Sequence, residues 1–301
     1  MGAWLFESRD GEDRPGAALR RLVEQEPIVV APGAFNALVG AIARKVGFKA
    51  LYFSGAAYSA SLALPDLGIF TLTELAHAVR QLYRATGLPI IVDADTGFGE
   101  VLNVAAAVRE LEHAGAAAIQ IEDQEMPKKC GHLSGKSVVP AEEMAQKVAA
   151  AARVRRDLLI VARTDARATH NFDEAVRRAR LYAEAGADVV FPEALESEEE
   201  FRAFAQELKV PLLANMTEFG KTPYLSVEQF RAMGYRLVIF PVTTLRVAAR
   251  AIEEALTALR DRGTQAGFLD RMQTRRELYE LIGYEEYENF DRELSKRAAE
   301  R

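Results

Sequence analysis

Short apolar runs recur along this chain, at positions 28–31, 50–54, 90–95, 117–122, 158–163, 188–192, 212–215 and 237–241. Within each run the apolar residues are mostly continuous, the pattern of a strand buried on both faces of a parallel sheet. Between them lie longer stretches rich in alanine and charge, such as 101–114, 141–154, 173–185 and 227–233, whose apolar positions recur at helical spacing. Gly115, Gly186 and Gly234 stand where a helical pattern stops before the next strand, as expected of a glycine C-cap. Buried strands alternating with helices predict an α/β fold. With eight strands, a closed (β/α)8 barrel is the simplest arrangement, because its interior can be filled by side chains. The alternative, an open doubly wound sheet, lacks a Gly-x-Gly-x-x-Gly turn after the first strand.

The barrel pattern occupies residues 1–262, and residues 263–301 differ from it. They are charged helix formers with a thin apolar set: Phe268, Leu269, Met272, Leu278, Tyr279, Leu281 and Ile282. Such a C-terminal helical extension buries little alone, so it is expected to pack on the barrel or on a neighbouring subunit.

Composition narrows the partners. At 301 residues and 49% hydrophobic, the chain can bury a core of barrel size. A formal net charge of −6 argues against nucleic acid or an anionic membrane as a principal partner. The single cysteine, Cys130, excludes an internal disulfide and fits a reducing cytoplasm. The N-terminus lacks the basic start and apolar stretch of a secretory signal, and no apolar run approaches the roughly 20 residues of a membrane span. The expectation is a soluble cytoplasmic protein with a small-molecule substrate.

In an α/β barrel the functional residues project from the C-terminal ends of the strands. Here those ends are polar: Ser54 and Gly55, Asp93 and Asp95, Glu122 and Asp123, Arg163 to Asp165, Glu193, Asn215 and Thr217, and Arg246 a few residues past the eighth run. One polar end could be a helix cap, but so many on one face indicate a site. Asp93 and Asp95, two apart on a strand, would leave the same face. Two carboxylates that close repel unless a cation or proton lies between them. Glu122 and Asp66 could complete an all-oxygen set, which suits Mg2+ or Mn2+ rather than zinc. Asp123 and Asp165 are instead expected to pair with Arg163 or a lysine.

Arg163 and Arg246 offer fork-shaped cations for carboxylate groups. Ser54, Asn215, Thr217 and the backbone at Gly55 add neutral donors. Together these describe a site for a small polycarboxylate whose reaction passes through an enolate. No strand-ending position is a lysine, so nothing indicates a Schiff base. His77, His113 and His170 fall in or beside helices and are expected at the surface or at caps.

Cys130 sits in Lys128-Lys129-Cys130-Gly131-His132, a polar stretch following the fourth run. Neighbouring cations lower a thiol's pKa, so Lys128 and His132 are expected to tune it. The surrounding loop, residues 125–137, has few apolar anchors and is expected to stand open until substrate arrives.

At this point the chain resembles the isocitrate lyase/phosphoenolpyruvate mutase superfamily, from about residue 27 to 284. The segments that carry the resemblance are YFSG (52–55), LPDLGI (64–69), DADTGFG (93–99), IEDQ (121–124), KKCGH (128–132), ARTDA (162–166), FPEA (191–194), ANMTEFGKTP (214–223) and MQTRRELYE (272–280). KKCGH belongs to the lyase branch, and ANMTEFG with the MQTR tail is most similar to the 2-methylisocitrate lyase family. The resemblance implies Mg2+-assisted retro-Claisen cleavage of a tricarboxylate, 2-methylisocitrate, to pyruvate and succinate in the methylcitrate cycle of propionate breakdown. Isocitrate lyase, and enzymes acting on oxaloacetate or dimethylmalate, are the alternatives. Cys130 would be the general acid and Tyr52 the base, with Gly131 in the substrate site and Phe191, Ile239 and Pro241 around the methyl group. The resemblance also implies an eighth barrel helix exchanged between subunits of a homotetramer. Where the family continues Ser-Gly with further glycines, Ala56 and Ala57 follow here, in a turn whose backbone would hold a substrate carboxylate.

Overall fold

All eight apolar runs form strands in the computed structural model, which describes residues 14–131 and 135–299. They are β1 (Val29–Pro32), β2 (Leu51–Phe53), β3 (Ile90–Asp93), β4 (Ala118–Glu122), β5 (Leu159–Thr164), β6 (Val189–Pro192), β7 (Leu213–Asn215) and β8 (Leu237–Phe240). Neighbours pair in parallel in two series, β2-β3-β4-β5-β6 and β1-β8-β7. Single parallel bridges, Gly33 to Tyr52 and Val190 to Leu212, join the series into a ring. The fold is therefore the closed (β/α)8 barrel.

Alternate residues of each strand face inward and outward. Tyr52, Ile91, Leu159, Val161, Phe191, Leu213 and Ile239 fill the interior. Phe53, Val92, Ile119, Ile121 and Ile160 face the helices, against Leu75, Val79, Val104, Val108, Met144 and Val148. Around β6 to β8 the outer layer is aromatic: Phe201, Phe230 and Tyr235 meet edge-on with ring centroids 5.1 to 5.6 Å apart. Gly115, Gly186 and Gly234 adopt φ of 99°, 112° and 93°, the left-handed region expected at those helix ends.

One element absent from the reading of the sequence plugs the barrel. Helix Pro15–Gln25 places Leu19 and Val23 among the interior side chains. Its close approach depends on Gly16, where a Cβ would lie 2.3 Å from the Asp157 carbonyl oxygen. Arg236 donates to the Val23 and Glu24 carbonyls at its other end.

The last barrel helix, Thr243–Arg262, has no buried side chain, and Val247, Ile252 and Leu256 are 65%, 57% and 60% exposed. The C-terminal extension is helical, with Arg275–Ile282 and Tyr284–Ala299. The first of these lies against helix Ala37–Lys45 of the same chain and buries Leu281. Among the described residues, no helix is long and apolar enough to cross a membrane.

Candidate active site

Most of the expected site residues meet in one cleft at the C-terminal ends of the strands. Tyr52, Ser54, Ala56, Asp66, Asp93, Lys128, Cys130, Gly131, Arg163, Phe191, Glu193, Asn215, Thr217, Pro241 and Arg246 line it, joined by Lys129, Ile239 and Val242. Gly55, Asp95 and Glu122 contact these residues from behind. His132 lies outside the described residues. His77, His113 and His170 are all exposed, as expected.

Asp93 ends β3, but Asp95 lies beyond the strand in a turn, with φ of 49°, rather than on the strand as the spacing suggested. The turn is closed by the Gly97 N–H donating to the Ala94 carbonyl. It still brings the carboxylates together, since a Cβ on Gly55 would be 3.1 Å from both Asp93 Oδ2 and Asp95 Oδ1. Gly55 donates its N–H to Asp93 Oδ2 at 3.0 Å, so this donor serves a carboxylate of the protein. Ser54 caps the following helix, its Oγ accepting from Ala57 N–H at 3.2 Å.

Gln120 organises the group from inside β4. It is fully buried and donates to Asp93 Oδ1 at 3.2 Å and Glu122 Oε2 at 3.3 Å, while its Oε1 accepts from the Tyr52 hydroxyl. Burial first, and then the Asp93 charge, push the Tyr52 phenol well above its ordinary range. Tyr52 is thus held as a neutral donor, which opposes the expected role as base.

The four expected metal ligands are not equivalent. Lys128 Nζ is 2.7 Å from Asp95 Oδ1 and also bonds Asp66, while Glu122 turns to Arg163 at 3.2 Å. Burial alone would lower the Lys128 pKa, but Asp95, Glu122, Asp93 and Asp66 outweigh it and raise it. Among the described residues no three acidic, imidazole or thiol groups form a ready ligand cluster. Buried cations lie against three of the four, Lys128 against Asp95 and Asp66 and Arg163 against Glu122, while Asp93 and Asp95 meet beside Gly55. That pair fits a hard divalent cation. Asp95 is 4% exposed, its Oδ2 has no hydrogen-bond donor, and burial together with Asp93 pushes its carboxyl to about 7.

Arg163, at the end of β5, is the central cation. Its Nε and Nη2 form a fork on Asp165, at 2.9 and 3.1 Å, and its Nη1 lies 3.2 Å from both Glu122 and Glu193. Its guanidinium stacks 5.3 Å above the Phe191 ring. Burial opposes its charge, but Asp165, Glu122 and Glu193 raise its pKa well beyond the ordinary value. Glu193 thus orients Arg163 and accepts from Asn215 Nδ2 at 3.3 Å, leaving Asn215 Oδ1 buried without a partner. Arg246 is more exposed. It lies 3.4 Å from Glu218 and 5.2 Å over Phe219, in the first turn of Thr243–Arg262. Asp165 pairs with Arg163 as expected, and also with Lys136. Asp123 pairs instead with Arg178, at 3.2 Å, and accepts from Tyr182 and Thr164 at 2.8 Å each.

The described parts of the segment carrying Cys130 are held by polar contacts, and residues 132–134 of the expected gate lie outside the described residues. Gln124 and Val138 bridge antiparallel at its base, and Gln124 exchanges hydrogen bonds with the Lys129 backbone at 3.0 and 2.8 Å. Lys128, 3% exposed, is pinned by Asp95 and Asp66.

Comparison with known proteins follows the same outline. The sequence pattern of the phosphoenolpyruvate phosphomutase family matches residues 19–260. The chain belongs to this family. Among its relatives, a 2-methylisocitrate lyase from Aeropyrum pernix is 58% identical over 298 residues, 99% of this chain and 96% of that protein. Of solved structures, the 2,3-dimethylmalate lyase of the PEP mutase/isocitrate lyase superfamily is similar with a TM-score of 0.88 and 36% identity, covering 94% of this chain and 96% of the other. Phosphonopyruvate hydrolase in complex with oxalate and Mg2+ is similar with a TM-score of 0.83 and 31% identity, covering 92% and 98%.

Within this phosphoenolpyruvate phosphomutase family chain, four polar residues at the site escaped the reading of the sequence. Gln120 interrupts the apolar run of β4, and a polar residue in a buried strand is a signal in itself, because burial without partners is costly. Gln124, Lys136 and Glu218 lie in loops, where spacing carries no directional information.

Proposed function

We propose that the chain is a carbon–carbon lyase that cleaves 2-methylisocitrate to pyruvate and succinate, as a step of the methylcitrate cycle. The observation that carries this reading is the placement of Cys130. The chain's one thiol shares a cleft with Arg163, Phe191 and Asp93, in a protein 58% identical to a 2-methylisocitrate lyase.

Arg163, Arg246, Asn215, Thr217 and Ser54, with backbone at Ala56 and Gly131, bind the substrate's carboxylates. Mg2+, or Mn2+ in its place, when held by Asp93 and Asp95, supplies Lewis acidity toward the substrate hydroxyl and its neighbouring carboxylate. The hydroxyl loses its proton to solvent, the C2–C3 bond breaks as the carbonyl of pyruvate forms, and the electron pair passes to the succinate half. Arg163 and Asn215 stabilise the charge that develops there, with the guanidinium already oriented by Asp165 and Glu193. Cys130 then transfers the proton of its S–H to the carbon, and the thiolate left behind takes a proton back from solvent. Lys128 holds the segment bearing the thiol to Asp66 and Asp95. Tyr52 acts as an orienting phenol, since its hydroxyl hydrogen bonds to an amide oxygen, which is not a base. Phe191, Ile239 and Pro241 give the methyl group an apolar wall.

The uncovered apolar residues of Thr243–Arg262 support exchange of this helix between subunits of a homotetramer, with residues 263–301 completing the contact. A single cysteine, which allows no internal disulfide, supports a cytoplasmic setting. The reaction is tested in D2O with Mg2+ present. Equal amounts of pyruvate and succinate, with one solvent deuteron on the succinate, are expected; products in any other ratio would refute it.

A further inference from the structure

Lys136 plays no part in the reaction as written, yet its side chain is only 1% exposed. Its ammonium lies 2.6 Å from Asp165 Oδ1 and also donates to the carbonyl oxygen of Gly131. An ammonium removed from water is stable only where charged and dipolar acceptors replace the lost hydration. Here the two acceptors belong to different parts of the site. Asp165 follows β5 and grips Arg163 through both carboxylate oxygens. Gly131 directly follows Cys130 and is wedged against the same guanidinium, since a Cβ at 131 would lie 2.6 Å from Arg163 Nη2 and 2.5 Å from Glu193 Cγ. Gly131 is thereby held with its carbonyl on Lys136 and its Cα against the Arg163–Glu193 pair.

We propose that Lys136 is a positioning residue for Cys130. It ties the returning limb of the segment to the end of β5 and fixes the backbone next to the thiol against Arg163. The proposal rests on the reading of Cys130 as proton donor. Lys136 contacts neither Asp93 nor Asp95 in the hydrogen bonds and ion pairs described, so its loss should loosen the thiol while sparing the cation pair. A lysine serving only to neutralise Asp165 would leave the behaviour of the thiol unchanged.

Because the chain has one cysteine, a chromogenic disulfide reagent reports on Cys130 alone. In substrate-free protein, Lys136→Met is expected to speed this reaction at least about tenfold, well within what severing one side of a buried ion pair allows. It should also lower kcat at least about tenfold while leaving Mn2+ affinity, read by electron paramagnetic resonance, within about twofold. Lys136→Arg, which keeps the charge, should restore most of the thiol's protection. Equal thiol rates in Lys136→Met and the unaltered protein would overturn the proposal, as would a Lys136→Arg protein as reactive as Lys136→Met. The thiol rate needs no substrate. An accelerated thiol in a protein that fails to cleave 2-methylisocitrate would therefore refute the reaction and uphold the positioning role.

Discussion

Replacing Arg163 by lysine keeps a positive charge and removes the fork. The arginine reaches Asp165 with two bonds, at 2.9 and 3.1 Å, and shares Nη1 between Glu122 and Glu193 at 3.2 Å each. A lysine ammonium concentrates its donors at one point and cannot span three carboxylates on different strands. Asp165 retains Lys136, so the losses fall on one Asp165 bond and on Glu122 or Glu193, one of which stays buried without its cation. Charge-assisted bonds contribute about 1.5–3 kcal/mol each, so two lost bonds give about 3 kcal/mol at the lower bound. Urea unfolding should show a lower midpoint with an unchanged slope. Because Arg163 also faces the charge developing in the reaction, kcat/KM should fall on the order of a hundredfold or more. A variant with an unshifted midpoint and kcat/KM within about threefold of the parent would refute the view that the fork organises this site.

Cys130→Ser should lower kcat by about 100-fold or more with folding and cation binding intact, because a hydroxyl is a far weaker acid; activity above about a tenth of the parent would contradict this. Millimolar Mg2+ should raise the melting temperature of the parent but not of Asp93→Ala, since a ligand stabilises only the state that binds it; equal shifts would remove Asp93 from the cation site. Gln120→Leu should lower stability by about 1–3 kcal/mol in urea unfolding, because the Tyr52 hydroxyl and two carboxylates lose a buried partner; no change would show that the amide network is dispensable. Tetramers in sedimentation velocity should give way to smaller species when Val247, Ile252 and Leu256 are changed to polar residues, and a persistent tetramer would exclude helix exchange through this face.

The barrel was legible because burial on both faces writes itself as continuous apolar runs, and eight of them leave few topologies. The strand-end rule then located Arg163, Asn215 and Asp93 without further help. Asp95 shows its limit: residue spacing assumed an extended strand, whereas the chain turns left-handed after Asp93. The plug helix Pro15–Gln25 was missed because an amphipathic segment before the first strand does not reveal which end of a barrel it covers. Counter-charges were the least legible feature. Lys128 and Lys136 are distant in sequence from Asp66 and Asp165, and a lysine in a polar loop reads as solvated unless the fold shows its partner. The same blindness hid the polar contacts of the loop's described residues, since only apolar anchors have a sequence pattern.

The central claim is tested most directly by kcat/KM for 2-methylisocitrate and isocitrate, measured side by side with Mg2+ and with oxaloacetate as a third substrate. Filling the wall of Phe191, Ile239 and Pro241 with a methyl group contributes about 1–3 kcal/mol, so a preference for 2-methylisocitrate of roughly ten- to two-hundredfold is expected. Equal or faster cleavage of isocitrate, or turnover of oxaloacetate alone, would contradict the assignment.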